Sequence, residues 1–348
     1  MPTKCYQVDE LDQAAQALRQ GQLVAFPTET VFGLGAIANN EEAVKSVYQA
    51  KGRPSDNPLI VHIAKAEDLF RFSGDLSSEV ERVARRLVET FWPGPLTIIV
   101  PVRKGTFGPT VTGGLQTVGI RMPDHPLTLS LIQKTGFPLV GPSANLSGKP
   151  SPTCVQHVLH DFDGKIAGVV DADPTRIGVE STVVDITHPG QVYILRPGAI
   201  TEKDLQKALP EIEVTDATRV IQSDSLEHPK APGMKYRHYS PHQEVYALLP
   251  EELMKTLHSL TLDEKAKGAV IARDQVLSQC EGFAKTFSLG ENVKTATHGL
   301  FAGLRAFDDD DQVQILYVEQ LPDQAENRAY RNRLSKAASN KEGLPPRS

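Results

Sequence analysis

The chain contains 348 residues, of which 40% are hydrophobic and 23% are charged, and its formal net charge at pH 7 is −6 with the histidines neutral. This length predicts two domains, and the balanced composition excludes a disordered chain, a collagen-like repeat and a coiled coil. The mild acidity argues against a protein that coats nucleic acid, although it leaves a local basic groove open.

Cysteine usage and hydrophobicity indicate the compartment. The three cysteines, Cys5, Cys154 and Cys280, are too few and too scattered for a disulfide framework or a cysteine-based zinc site. No apolar run approaches the ~20 residues that span a bilayer, and the first residues contain no apolar core of a signal peptide. These features predict a cytosolic protein with structural thiols.

Helical and strand patterns alternate through residues 1–200. A first helix is predicted to begin at Asp9 and end before Gly21, and a second to begin at Asn40. Further helical patterns cover residues 78–89 and 127–134. The predicted strands are residues 23–26, 59–63, 96–102, 117–120, 138–140, 167–170, 182–186 and 192–195. Three late strands follow one another without room for a helix, which predicts a mixed sheet rather than a purely parallel one.

The periodicity fades over residues 210–242, where four prolines interrupt a polar stretch. We predict a linker here, and the cluster of Tyr236, Arg237, His238 and Tyr239 favours a functional loop over a simple spacer.

Beyond this stretch, predicted strands alternate again with helical patterns. The strands are residues 244–248, 269–272, 285–289 and 313–317, and a last helix covers 327–338. The spacing indicates a small doubly wound α/β domain. We therefore predict one domain over residues 1–209, the linker over 210–242 and a second domain over 243–348.

Several standard catalytic motifs do not occur in the sequence, among them a Walker A loop, an HExxH pair and a CxxC pair. Residues 33–38 fit the GxGxxA dinucleotide pattern loosely. They are separated from the preceding strand, so a tight turn at Gly33 and Gly35 is the preferred interpretation.

Two loops at predicted strand ends carry cations, hydroxyls or glycines. Lys51 and Arg53 lie two residues apart and, on an extended segment, would project to the same side and reach one phosphate chain. A solvated pair at a helix C-terminus explains the spacing equally well. Ser143 and Asn145, in the loop 141–148, suit an anion or a nucleotide, although composition alone slightly favours a plain turn.

Three more residues stand out at strands. Arg121 and Arg196 each follow a predicted strand, where an arginine either recognises carboxylate or phosphate or simply lies at the surface. His62 lies between apolar residues of a strand and points away from both neighbours. A hydrogen-bonded core histidine is the default interpretation, and a ligand-binding histidine is the alternative.

Taken together, seven segments resemble the YrdC-type threonylcarbamoyl-AMP synthases over residues 5–205. The segments are PTETVFGLG (27–35), KGRPSDNPLIVHI (51–63), FWPGPLTIIV (91–100), TVGIRMPDHP (117–126), GPSANLSGKPS (141–151), ESTVVDI (180–186) and LRPGAI (195–200). The family's KxR and SxN motifs occur as Lys51/Arg53 and Ser143/Asn145. The segment APGMKYRHYSP (231–241) and the small C-terminal domain resemble the longer, two-domain branch of the family.

The resemblance implies a fold and a reaction. The first domain is expected to be a twisted mixed sheet with helices that encloses a large concave cavity. The family joins L-threonine, bicarbonate and ATP into threonylcarbamoyl-AMP and releases pyrophosphate, for the modification of adenosine 37 in transfer RNAs that read ANN codons. Mg²⁺ is expected to be held by the phosphates, with few or no protein ligands. A transient hand-over of the product to the transferase complex stays open, and stable tRNA binding and membrane association are not expected.

The resemblance also implies roles for individual residues. Lys51 and Arg53 are expected to be catalytic, by clamping the triphosphate. The expected ATP-binding residues are Lys51, Arg53, Asn57, Thr117, Ser143, Asn145, Ser151, Arg196 and Tyr236, and the expected threonine-binding residues are Thr30, His62, Arg121 and Ser181. Tyr236 is expected to close over the cavity as part of a lid that protects a labile mixed anhydride from water.

Three other functions compete with this interpretation. A module that binds double-stranded RNA or tRNA would use a basic concave face, but the acidity and the lack of aromatic-basic interleaving argue against it. Hydrogenase-maturation carbamoyltransferases contain a similar domain, but they also carry zinc-finger cysteines that this chain lacks. A silent scaffold is disfavoured by the intact KxR and SxN motifs.

Overall fold

The computed structural model describes residues 2–55, 57–219 and 238–339. These residues form two compact units. The first contains residues 2–147, 152–176 and 180–219, apart from residue 56, and the second contains 148–151, 177–179 and 238–339. The division of the chain into domains at residues 209 and 243 stays a prediction, although a strand at Glu213–Asp216 extends the first unit's sheet past residue 209.

The first unit is built on an eleven-stranded sheet. Its strands are β1 Lys4–Tyr6, β2 Val24–Phe26, β3 Gly33–Ile37, β4 Ile60–His62, β5 Leu96–Pro101, β6 Thr117–Arg121, β7 Leu139–Val140, β8 Gly168–Val170, β9 Thr182–Asp185, β10 Gln191–Arg196 and β11 Glu213–Asp216. They lie in the order β1-β8-β2-β3-β7-β4-β6-β5-β9-β10-β11. Strand β5 pairs antiparallel with β6 and parallel with β9, so the predicted mixed sheet is confirmed.

The helices of this unit pack against the sheet. They are α1 Leu11–Arg19, α2 Glu41–Lys51, α3 Asp68–Phe72, α4 Ser78–Phe91, α5 Pro109–Thr112, α6 Pro126–Thr135, α7 Val155–Phe162 and α8 Glu202–Ala208, with 3₁₀ turns at Val8–Glu10 and Ala217–Arg219. Helix α2 begins where predicted, because the side chain of Asn40 accepts a hydrogen bond from Ala43 N at 3.1 Å. It ends at Gly52, whose φ of 60° suits glycine.

Apolar packing covers both faces of the central strands. Val24 and Phe26 of β2 belong to one buried cluster, whereas Ala25 between them belongs to another. Successive side chains of a strand point to opposite faces, so a sheet buried on both faces requires nearly continuous apolar strands. This requirement is why the strands were visible in the sequence as short apolar runs.

The preferred interpretation of Gly33 and Gly35 as a tight turn was wrong, because both lie in strand β3, antiparallel to β2. A Cβ atom on Gly33 would lie 2.8 Å from Phe26 Cζ, and one on Gly35 would lie 2.7 Å from Val24 O. These glycines therefore let β3 approach β2 and the Phe26 ring. They serve packing rather than a turn or a dinucleotide.

The second unit has a four-stranded, fully parallel sheet in the order β12-β15-β13-β14. The strands are β12 Glu244–Leu248, β13 Gly268–Ala272, β14 Thr286–Ser288 and β15 Ile315–Glu319. The helices are α9 Pro250–Ser259, α10 Leu262–Ala266, α11 Asp274–Leu277, α12 Val293–Arg305 and α13 Arg328–Ala337, with a 3₁₀ turn at Ala325–Asn327. This arrangement confirms the predicted small α/β domain. Within the described ranges, no helix is long and apolar enough to cross a membrane.

Candidate functional site

The carboxyl ends of two neighbouring strands bring His62 and Arg121 together. Strands β4 and β6 run parallel, and His62 is the register partner of Arg121. Both side chains are buried. Ligands of open α/β sheets commonly bind beyond the carboxyl ends of the strands. The sheet therefore presents an imidazole and a guanidinium at the edge where a ligand is expected.

Arg121 is held by three groups. Its Nη1 donates to Thr30 Oγ1 at 3.0 Å, and its Nε donates to the carbonyl of Gly94 at 3.3 Å. Its Nη2 lies 2.7 Å from Glu29 Oε2 in an ion pair whose side chains are 5% and 2% exposed. A guanidinium has five N–H bonds, so those that these contacts leave over can still be offered to a carboxylate. The arrangement thus fits Arg121 as a receptor for an anionic group.

His62 is a neutral histidine under ordinary conditions. Burial and, to a smaller extent, the charge of Arg121 lower its pKa to about 3. Its ring contacts Phe26 edge-on, with the ring centroids 5.4 Å apart, and its Nδ1 has no hydrogen-bond partner among the described residues. The sequence left a core histidine and a ligand-binding histidine open, and an unpartnered buried Nδ1 is expected of the second.

A second polar cluster joins β5, β9 and β10. Ser181 Oγ lies 2.8 Å from Thr97 Oγ1 and accepts a hydrogen bond from Arg196 Nη2 at 3.1 Å, while Arg196 Nε donates to Ser181 O at 3.1 Å. All three side chains are buried. Arg196 therefore lies inside the unit, and the alternative of a surface arginine is excluded.

Lys51 connects the two predicted motifs directly. Its ammonium donates to the carbonyl of Ser143 and, at 2.7 Å, to that of Asn145. The expectation of an extended segment with both cations on one side was wrong, because Lys51 ends helix α2 and Gly52 is left-handed. The alternative of a solvated pair was also wrong for Lys51, which is 3% exposed. A lysine in this position fixes the loop that carries Ser143 and Asn145.

Arg53 and Asn57 follow Lys51 in the chain and contact each other. The Arg53 guanidinium lies over the Tyr48 ring at 5.9 Å, and its Nη2 contacts Asn57 O at 3.5 Å. The Asn57 side chain is fully buried, yet neither its Oδ1 nor its Nδ2 has a hydrogen-bond partner among the described residues. A buried amide without partners is costly, so a ligand that supplies both is the natural explanation.

Three predicted residues remain: Thr117, Ser151 and Tyr236. Thr117 begins β6 and is half-buried. Ser151 is buried and belongs to the segment 148–151, which packs with the second unit. Tyr236, and with it the predicted lid, lies outside the described residues.

Four residues that were not predicted from the sequence lie against the predicted ones. Glu29, Thr28 and Thr97 contact Arg121, Thr30 and Ser181 respectively. Asp161 Oδ2 accepts a hydrogen bond from Leu146 N at 3.0 Å and so holds the residue after Asn145. Only Glu29 gave a local signal, because it is the one charged residue of the segment 27–35. The described residues contain no group of three or more His, Cys, Asp or Glu side chains that could hold a metal ion.

Comparison with known proteins shows the family of the chain. A family model described as "Telomere recombination" matches residues 16–198, and one described as "Threonylcarbamoyl-AMP synthase, C-terminal domain" matches residues 200–339. A Bacillus subtilis protein named threonylcarbamoyl-AMP synthase is 44% identical over 331 residues, which are 94% of this chain and 93% of the relative. The chain belongs to the threonylcarbamoyl-AMP synthase family.

Other members of the threonylcarbamoyl-AMP synthase family agree in extent and fold. A Pyrococcus abyssi protein of this name is 42% identical over 327 residues, covering 93% of each chain. The crystal structure of Pyrococcus abyssi Sua5 complexed with L-threonine superposes with a TM-score of 0.86 at 39% identity and covers 97% of this chain and 98% of its own. The resemblance to the two-domain branch is thereby confirmed, and the RNA-binding alternative is not favoured.

Proposed function

We propose that this enzyme joins L-threonine, bicarbonate and ATP into threonylcarbamoyl-AMP and releases pyrophosphate. The observation that carries the proposal is the buried Arg121, which is oriented by Thr30 and Glu29 beside the neutral His62. Such a guanidinium suits the carboxylate of a small amino acid. Relatives of nearly the same length are named for this product, and the Pyrococcus abyssi structure is a complex with L-threonine.

The threonine subsite is proposed to comprise Thr30, His62, Arg121 and Ser181. Arg121 binds the carboxylate, and the two hydroxyls and the imidazole complete the pocket. The unpartnered Nδ1 of His62 is suited to a substrate hydroxyl. A site built to hydrogen-bond a hydroxyl rejects the analogue without it more strongly than an apolar pocket rejects one methylene group. Threonine should therefore be preferred over valine by a larger factor than over serine.

The ATP subsite is proposed to comprise Lys51, Arg53, Asn57, Thr117, Ser143, Asn145, Ser151, Arg196 and Tyr236. The neutral threonine amine must first react with bicarbonate to give a carbamate and one water molecule. A carbamate oxygen then attacks the α-phosphorus while pyrophosphate leaves. Both reactants are anionic, so Lys51 and Arg53 act by neutralising charge and by positioning. Lys51 contributes to positioning through its bonds to the loop carbonyls of Ser143 and Asn145.

Magnesium fits this subsite as an ion carried by the nucleotide. The proposed ATP residues are cations, hydroxyls and amides, and the described residues provide no carboxylate cluster of their own. Mg²⁺ commonly keeps several waters and binds through substrate phosphates. When bound, it would neutralise charge on the phosphates of ATP.

The proposed place of the reaction is the cytoplasm, in the pathway that modifies adenosine 37 of transfer RNAs that read ANN codons. The product is a mixed anhydride that water destroys, so a prompt transient hand-over to a tRNA-modifying transferase is expected. Stable tRNA binding by this chain is not part of the proposal.

The test is pyrophosphate release by the purified full chain with ATP and magnesium, with L-threonine or bicarbonate omitted in turn. Release that needs both, together with a threonine-bearing adenylate in the mass spectrum, supports the proposal. Release with carbamoyl phosphate in place of threonine, or no release from folded protein that binds ATP, overturns it. Arg121→Lys keeps the positive charge but cannot bind a carboxylate through two parallel N–H bonds, so it should raise KM for L-threonine at least tenfold. Arg82→Lys, at an exposed position, should leave KM unchanged.

A further inference from the structure

A buried carboxylate beside the proposed threonine subsite has unused hydrogen-bonding capacity. Glu29 follows β2 by three residues and is 2% exposed. Its Oε2 lies 2.7 Å from Arg121 Nη2. This contact is an ion pair without hydrogen-bond alignment, so neither carboxylate oxygen of Glu29, nor Nη2 of Arg121, has a hydrogen-bond partner among the described residues. Both members of the pair are thus electrostatically matched but incompletely bonded.

Buried aspartates of the same unit accept hydrogen bonds from neighbouring backbone N–H and hydroxyl groups. Asp185 Oδ1, for example, accepts hydrogen bonds from Thr187 N at 2.9 Å and from Thr187 Oγ1 at 2.6 Å. Leaving a buried carboxylate oxygen without a donor costs a large desolvation penalty. A structural ion pair would be expected to align and to use both oxygens, so the geometry of Glu29 needs a further donor.

A zwitterionic amino acid supplies what this pair lacks. Its carboxylate can accept from Arg121, and its ammonium can donate to Glu29, so that four charges alternate in sign around the subsite. Other titratable groups near Glu29 do not disturb this alternation of charges. Asp124 and Arg176 neutralise each other at 2.6 Å, and burial lowers the pKa of His125, so its imidazole stays neutral.

We propose that Glu29 is the ammonium-binding residue of the amino-acid subsite, with Arg121 as its counterpart for the carboxylate. The inference rests on the proposed function, because it takes L-threonine as the ligand. It adds a selectivity to that function, since the pair then recognises the amine and the carboxylate of the substrate together. A carboxylic acid without the amine should bind through Arg121 alone.

The test compares L-threonine with (R)-3-hydroxybutyrate, which is threonine without its amino group. Ligand-observed NMR titration of the full chain gives the dissociation constants of both ligands for the wild type, for Glu29→Gln and for Asp185→Asn as the matched control. In Glu29→Gln the affinity for L-threonine should fall by about tenfold or more, while that for (R)-3-hydroxybutyrate changes much less. The preference for threonine should therefore collapse in Glu29→Gln and persist in Asp185→Asn.

The outcomes separate the inference from the proposed function. An equal loss for both ligands in folded Glu29→Gln would mean that Glu29 only holds Arg121, and would overturn the inference alone. An unchanged preference would also overturn it. Failure of the wild type to bind L-threonine at all would overturn the proposed function itself. L-threonine methyl ester, which keeps the ammonium but lacks the carboxylate charge, should lose affinity in Glu29→Gln as L-threonine does.

Discussion

The two units of the chain both bury charged side chains, but they bond them in different ways. In the second unit, the fully buried carboxylate of Glu319 accepts from Arg273 N at 2.8 Å and from Arg273 Nε at 3.0 Å. The buried amide oxygens of Gln243 and Asn327 have no hydrogen-bond partner among the described residues, but the nitrogen of each side chain donates to a backbone carbonyl. Each of these two side chains therefore has only one unpartnered atom.

In the first unit, the unpartnered buried atoms are concentrated on the proposed ligand-binding residues. Glu29, Asn57 and His62 all keep a buried polar atom without a partner among the described residues. Buried polar groups are normally satisfied, and the exceptions require an explanation. We therefore interpret the Arg273–Glu319 ion pair of the second unit as a stabilising contact, and we propose that Glu29, Asn57 and His62 of the first unit take their missing partners from a ligand.

The largest expected effect is the loss of the closed pair in the second unit. Arg273→Ala leaves Glu319 buried without its counter-ion, and the free energy of unfolding should fall by about 3 kcal/mol. Urea unfolding followed by circular dichroism measures it. Arg82→Ala, which removes an exposed pair with Glu211, should cost less than ~1 kcal/mol. Equal losses in the two variants would contradict a structural role for the Arg273–Glu319 pair.

A smaller loss of stability is expected at Gly141 of the first unit, where there is no room for a side chain. A Cβ atom on Gly141 would lie 2.6 Å from Phe26 Cζ and 2.7 Å from His62 Nδ1. Gly141→Ala should lower the free energy of unfolding by ~2 to 3 kcal/mol and reduce pyrophosphate release, because the loop with Ser143 must shift. A Cβ atom on Gly299 in α12 would come no closer than 3.4 Å to another atom, Leu289 Cδ2, so Gly299→Ala should be neutral or stabilising. A fully active, fully stable Gly141→Ala enzyme would show that the loop is not confined.

Acid stability tests the burial of His62. Its folded pKa of about 3 lies below the ordinary 6.5, so between these values the unfolded chain binds a proton that the folded chain does not. The free energy of unfolding should therefore fall as the pH drops, by about 2 kcal/mol between pH 7 and pH 5 from this residue. His62→Gln should remove that part of the slope, and exposed His258→Gln should keep it. Identical slopes in the wild type and His62→Gln would refute the neutral buried imidazole.

The smallest effect concerns the support of the Ser143–Asn145 loop. Asp161→Asn weakens the charged acceptor of Leu146 N and should raise KM for ATP by about fivefold, with little change in kcat. Steady-state pyrophosphate release measures both constants. Asp163→Asn is the matched control, because Asp163 accepts from Thr3 N at 2.9 Å, away from this loop. If KM for ATP rises equally in both variants, the loop contact is not specific.

Periodicity predicted most of the fold but not the contacts of the site. Strands β4 to β6 were visible because a sheet covered on both faces needs apolar runs. Strand β3 was missed because Gly33 and Gly35 lower strand propensity. Their close approach to Val24 O and to the Phe26 ring explains why glycines occur there. The mixed sheet followed from strand spacing alone.

Side-chain partners depend on register, and no local pattern shows register. Lys51 and Arg53 were recognised as a pair, but the buried bonds of Lys51 to the loop 92 and 94 residues away were not predictable from their spacing. Glu29 is the one charged residue of the segment 27–35, but this signal alone does not show its burial or its pairing with Arg121, so the residue was not predicted.

The most direct test of the account is a crystal structure of the full chain with L-threonine and a non-hydrolysable ATP analogue. We predict the threonine carboxylate on Arg121, its ammonium on Glu29, and the Asn57 amide bonded to the nucleotide. Ligands bound elsewhere, with the buried atoms of Glu29, Asn57 and His62 still without partners, would contradict the claim that the first unit's polar groups are arranged for these substrates.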